Sequence, residues 1–186
     1  MSFDKTFKGL LYSSLHFEDK EFEQCIFKSC DLSNVSFAGF AFIEVVFEDC
    51  NLSLIKIDNT LFQNVTFKNC KLSGVIFDTC KDFGLALRFE SCVLDYTSFA
   101  KKKLVSTVFT DCKIREGNFD QSDLNKSNFN NCDLLNTSFT NNNLTHCDFS
   151  TAHNFLIDPT SNQIKKAKFS RQELAGLLFR HEIIIT

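Results

Sequence analysis

The 186-residue chain has no tryptophan, one methionine, one proline and two tyrosines. No apolar run approaches the roughly 20 residues a membrane span needs. The opening MSFDKTFKGL has neither the basic start nor the apolar stretch of a secretory signal, so a cytoplasmic protein without a membrane partner is expected. Nine cysteines include no CxxC pair, which removes the commonest zinc spacing. An odd count without an export signal also argues against a disulfide framework, leaving reduced thiols. The histidines, His16, His146, His153 and His181, are scattered. No Gly-rich phosphate loop, Ser-His-Asp order or paired acid with a matching base occurs, so no catalytic residue, cofactor or metal site is expected.

What the chain does hold is 23 phenylalanines and many Asn, Ser and Thr, at a net charge of only -3. Such bias suggests one environment repeated many times, in a domain long enough for a sizeable core. FKSCDLSNVSF (27–37) returns as FKNCKLSGVIF (67–77). From Phe7 to Phe77 every fifth residue is large and apolar; the rhythm slips by two residues in DTCKDFGLALR and resumes from Phe89 to Phe149. A period of five fits neither the 3.6 of a helix nor the 2 of a strand. The backbone must therefore turn regularly, bringing one large side chain inward each time.

Folding by twenty separates four columns. Phe7, Phe27, Phe47, Phe67, Phe89, Phe109, Phe129 and Phe149 are all phenylalanine. The second column, Leu32 through Leu134, is aliphatic except for Tyr12 at its start. The third runs from Phe17 to Phe139, and the fourth changes from Phe22, Phe42 and Phe62 to Leu104, Leu124 and Leu144. Four faces and twenty residues per coil follow. Asn-rich stretches between the columns, as in NFNNCDLLNTSFTNNNLTHCDF, suit corners, because Asn bonds neighbouring backbone and tolerates unusual turns.

This pattern resembles the pentapeptide-repeat family, whose unit is A(D/N)LXX around a central Leu or Phe, over residues 7–151. The resemblance implies an all-β fold, a right-handed quadrilateral parallel β-helix of about seven coils, on the order of 35 Å long at ~4.8 Å per rung. It also implies a small inward residue two positions before each central one. All nine cysteines, at 25, 30, 50, 70, 80, 92, 112, 132 and 147, fall there once the slip is allowed for. Six would stack as a ladder beside the second column, too far apart for neighbouring disulfides and too buried for thiolate chemistry. They read as core filler.

The slip near 78–88 predicts a small bulge on the fourth face, eased by Gly84, with Phe83 or Leu85 filling the core. The β-helix is expected over 1–160 and a capping or dimerisation segment over 161–186. There Ser170 and Glu173 predict a capping box opening a short helix through Leu174, Leu177 and Leu178, and Glu182 to Ile185 reads as a strand. Residues 1–160 carry 21 acidic and 15 basic side chains; residues 161–186 carry two and five. One acid row is expected on the first face, with Glu48, Asp49, Glu90, Asp111 and Asp148, and another opposite, with Glu18, Asp19, Asp58, Asp78 and Asp120. Lys101, Lys102 and Lys103 interrupt the acidity.

Degenerate coil, helix and apolar strand in that order resemble the ending of the Qnr-type quinolone-resistance proteins within the family. That resemblance implies a non-enzymatic DNA mimic that binds DNA gyrase or topoisomerase IV without binding nucleic acid itself. It also implies a homodimer formed through Leu174, Leu177, Leu178, Ile183, Ile184 and Ile185. The rival expectation is a general interaction scaffold using outward Ile26, Ile43, Val46, Val93 and Val108.

Overall fold

A computed structural model describes residues 1–11, 17–181 and 183–184. It is a parallel β-solenoid of about eight turns, the four-sided β-helix the periodicity implies. The first face forms a nine-stranded ladder: Thr6–Lys8, Ile26–Lys28, Val46–Glu48, Val65–Lys68, Leu87–Glu90, Val108–Thr110, Asn128–Asn130, Asp148–Phe149 and Lys168–Phe169. On the fourth face Ser2–Phe3, Glu21–Glu23, Ala41–Ile43 and Leu61–Gln63 form a second ladder, continued after the slip by bridges from Lys103 to Asp123 to Asn143 to Gln163. Single bridges stack the other two faces. Eight steps of ~4.8 Å give a rod of roughly 38 Å.

Corners explain the composition. The second residue after most central positions has positive φ, as at Asn34 (60°), Asn59 (54°), Asn64 (53°), Asn69 (50°) and Asn136 (56°). Left-handed backbone costs an ordinary L-residue ~1–2 kcal/mol and Asn less, so Asn accumulates there. Inside, the all-Phe column is a continuous stack. Phe109 and Phe129 lie 4.8 Å apart at 6°, and Phe149 and Phe169 lie 5.4 Å apart at 1°. From Phe89 to Phe149 each ring also meets the third column edge-on, as Phe109 meets Phe119 at 89°. Such pairs contribute ~0.5–1.5 kcal/mol each beyond burial.

All nine cysteines are free and buried. Several do more than fill space, because a donor at the position two before a central residue can reach a carbonyl of the coil below. Cys50 Sγ donates to Phe27 O at 3.3 Å, Cys70 to Phe47 O at 3.4 Å and Cys92 to Phe67 O at 3.4 Å. Thr60, Ser122, Ser127 and Asn162 do the same toward Phe37, Phe99, Leu104 and Phe139, at 2.6–2.9 Å. Cysteine is one of several small donors serving this slot.

At the slip, Phe83 is 82% exposed, and half-buried Leu85 packs on the core instead. The two extra residues place the left-handed turn of the bulge at Gly84 (φ 68°), which leaves Phe83 outside while Leu85 packs inward. Lys102, expected among surface lysines, occupies the inward slot above the bulge and is buried. Its Nζ donates to Cys80 O at 2.6 Å and to Asp82 Oδ1 at 2.9 Å. Where the rhythm fails at Asn154, Phe155 takes the buried place one residue later.

The expected short C-terminal helix takes the form of two 3₁₀ turns, Leu174–Leu177 and Phe179–His181. Ser170 Oγ accepts the Glu173 N–H at 3.3 Å as a cap should, but the Glu173 carboxylate accepts from Asn154 N at 3.2 Å rather than closing the box. Gly176 gives the reason. It lies so close to the last coil that a Cβ there would stand 2.1 Å from Phe155 O, and its carbonyl accepts from Ile157 N at 3.0 Å. This docking fixes a tight turn that a regular helix would break. Ile183 and Ile184 form no strand; Glu182 and Ile185, like Tyr12 and His16, lie outside the described residues.

Candidate interaction faces

The strands hold the first acid row outward, but interleaved with bases. Glu48 pairs with Lys28 at 3.0 Å, raising the Lys28 pKa, chiefly through their hydrogen bond. Glu90 pairs with Arg88 and lies 3.9 Å from Lys68. Asp148 pairs with Lys168 at 2.9 Å; burial alone would raise its pKa, but bonds from Ser150 and Lys168 outweigh it and lower it. Asp49 and Asp111 accept from Asn69 and Asn131 of the next coils. This face is a ladder of alternating sign.

The third face is different. Glu18 and Asp58 have no ion pair among the described residues, Asp78 accepts only from Ser98 Oγ at 2.9 Å, and Asp120 accepts from Ser138 Oγ at 2.6 Å and Thr140 N at 2.9 Å. Asp19 is held low by the N-terminal ammonium and by Ser2. Asp58 and Asp78 occupy adjacent rungs and Asp120 stands two further on, since Asn59 N bonds Thr79 O and Lys101 N bonds Asp120 O. Lys56 and Lys101 share the face. The rows are thus unequal: three of the five carboxylates of the first are paired with bases, whereas Glu18, Asp58, Asp78 and Asp120 of the other have no cation among the described residues.

Other polar clusters are structural in form. Buried Asp133 accepts from Arg115 Nε at 2.7 Å and Asn154 Nδ2 at 2.8 Å, closing the last coils. Among the described residues no group of three or more His, Cys, Asp or Glu is arranged to hold a metal, and no helix is long and apolar enough to cross a membrane. Burial raises the Cys80 thiol to about 11 and Cys147 to about 12.

The C-terminal segment divides by exposure. Leu177 packs on the core, whereas Leu174, Leu178, Phe179, Ile183 and Ile184 are exposed, Ile184 at 91%. Ile185 lies outside the described residues. Outward apolar residues also gather on the fourth face, where Phe83 and Val105 are exposed and Ile43 and Leu61 half-buried. Sequence reasoning missed Phe83, Leu61 and Val105 as surface apolar groups. Leu61 and Val105 were legible, each flanking a central position.

A family model described as a pentapeptide repeat region matches residues 20–82 and 86–154, and the gap falls on the bulge. No curated protein matches by sequence. Among solved structures, a trypsin-treated variant of QnrB1, a plasmid-mediated fluoroquinolone resistance protein, is 16% identical with a TM-score of 0.69, covering 98% of this chain and 99% of that one. A second trypsin-treated QnrB1 variant is 15% identical with a TM-score of 0.66, covering 100% of both. HetL, a pentapeptide repeat protein involved in heterocyst differentiation regulation from the cyanobacterium Nostoc, is 14% identical, covering 90% of this chain and 82% of that one, with a TM-score of 0.44, too low to carry weight. At these identities the likeness is one of fold.

Proposed function

This chain belongs to the pentapeptide-repeat family, and on that premise we propose that it is a non-enzymatic rod that binds a bacterial type II topoisomerase, gyrase or topoisomerase IV, as a homodimer and shields it from quinolones. The observation that carries the reading is the end-to-end correspondence in fold with a fluoroquinolone resistance protein, over 98% of this chain. Exposed Leu174, Leu178, Phe179, Ile183 and Ile184 support pairing through the C-terminal segment. Leu177 does not join that surface, because it closes the coil beneath it.

The third face is the side we assign to the enzyme, since its carboxylates are the less neutralised row. Magnitudes limit what charge can do there. From Glu18 to Asp120 the rod rises five rungs, roughly 24 Å, over which duplex DNA would present about fourteen phosphates. Shape and direct contact must then carry most of the affinity, and its salt dependence should be shallower than that of DNA. Immobilised gyrase and topoisomerase IV should each be tested by surface plasmon resonance at two salt concentrations. Binding weakened by Asp58→Lys with Asp78→Lys, and unaffected by Glu48→Lys, is the expected outcome; equal loss from both would place the contact elsewhere. Ile184→Asp should halve the solution mass by light scattering, whereas an unchanged mass would contradict the C-terminal dimer.

A further inference from the structure

The fourth face carries a pattern that the topoisomerase reading does not use. After the first rung, Ser2–Phe3, two outward rows run along its next five rungs, one before and one after the central residues. The first begins at Glu21, passes Ala41 and Leu61, and ends at Lys81 and Lys103; the register follows from the strand pairing, from Lys81 N on Thr60 O and from Lys102 on Cys80 O. The second begins at Glu23, passes Ile43 and Gln63, and ends at Val105; between them the bulge carries Phe83 outward, since Ala86 N rather than Phe83 N takes the Phe62 carbonyl and Gly84 lies against the Gln63 side chain. The face is acidic at one end, apolar in the middle and basic at the other. Lys20 and Asp82 do not cancel this, since Lys20 lies over the Phe40 ring at the corner and Asp82 is paired with Lys102.

We propose that this face pairs two copies of the chain, rods antiparallel, about a two-fold axis running along the strand Leu61–Gln63. An axis along a strand preserves each row and exchanges rungs on either side of the strand. Glu21 then meets the second copy's Lys103, Leu61 meets Leu61, and the bulge carrying Phe83 projects against the second copy's rung of Ile43. Every like-charge contact is avoided and the most exposed aromatic is covered by an aliphatic residue. Parallel rods, about an axis along the rod, would instead exchange the rows within each rung and set Glu21 on Glu23, acid on acid, while leaving Lys103 on Val105, so charge selects the antiparallel arrangement. A self-complementary patch of this kind is what a closed two-fold interface requires, and it favours a second copy over an unrelated protein.

The interface is distinct from the C-terminal one and goes beyond the proposed function, because tail-to-tail pairing leaves the two Leu61 side chains far apart. The test is oxidative crosslinking of the full chain carrying Leu61→Cys, read on a non-reducing gel, the native thiols being buried. A crosslinked dimer is expected, with none from Thr140→Cys on the third face. Adding Phe83→Asp should abolish it. Adding Glu21→Lys should slow it about tenfold, and Glu21→Lys with Lys103→Glu together should restore it, because rim charges act mainly on encounter. Leu61→Cys crosslinking no faster than Thr140→Cys, or charge reversal that is not rescued by its partner, would overturn the pairing. Either failure leaves the topoisomerase and tail predictions standing, and their failure leaves this one.

Discussion

Replacing Asp82 with alanine should destabilise the rod more than replacing Lys102 with methionine, although Lys102 is the buried member of the pair. The Lys102 side chain is 5% exposed and that of Asp82 71%. Removing Asp82 leaves an ammonium in the core with Cys80 O as its remaining acceptor. Breaking a fully buried pair costs ~3–5 kcal/mol; the exposed end of this one is screened, which reduces the expectation to about 1–3 kcal/mol. Lys102→Met leaves Asp82 in water. It loses one bond to a carbonyl, about 1–1.5 kcal/mol, offset in part by an apolar side chain of similar length that carries no desolvation penalty, for a net of about 0–1 kcal/mol. The double variant should match Lys102→Met alone. Urea unfolding at pH 7, compared through midpoints at constant slope, measures all three. A Lys102→Met variant less stable than Asp82→Ala, or strictly additive losses, would refute the assignment of a buried charge held by an exposed partner.

Three further outcomes follow from the coil geometry. Cys92→Ala should cost about 1–2 kcal/mol in urea unfolding, because it removes a packed side chain and its bond to the Phe67 carbonyl, while Cys92→Ser should cost less by keeping a donor. Alkaline stability should fall from about pH 9 upward. An unfolded thiol titrates near 9.0, whereas burial holds Cys80 near 11 and Cys147 near 12, and bonding to the Cys132 thiol holds Cys112 near 12. Between those values the unfolded state binds fewer protons than the native one, so each such thiol removes ~1.4 kcal/mol per pH unit; stability unchanged to pH 10.5 would contradict their burial. Tyr96 stands at φ 60° and is 66% exposed, so Tyr96→Asn should raise stability by about 0.5–1 kcal/mol, checked by the same unfolding curves.

Periodicity made the coil legible because one residue in five must point inward wherever the chain turns, and Phe27, Leu32 and Phe37 sit where that spacing puts them. The inward place of Cys30 and Cys50 came with the family pattern, but their bonding did not. A donor serves a carbonyl 23 residues earlier only after coils have stacked, and nothing local to FKSCDLSNVSF announces it. The bulge was visible as a slip, yet which residue it turned outward depended on Lys102, a full coil later, closing over Cys80. Similarly, Ser170 and Glu173 read as a helix start by local chemistry, and contact between Gly176 and Phe155 overrode them. Acid rows were legible as positions; that Lys28 and Lys168 neutralise one of them became visible with the ladder register.

The central functional claim is met most directly by DNA gyrase supercoiling, with and without a quinolone, across a titration of this protein. The account predicts that supercoiling in the presence of the drug recovers as protein is added, with Asp58→Lys and Asp78→Lys together weakening the recovery. No change in supercoiling, drug present or absent, at any concentration up to high micromolar would contradict it.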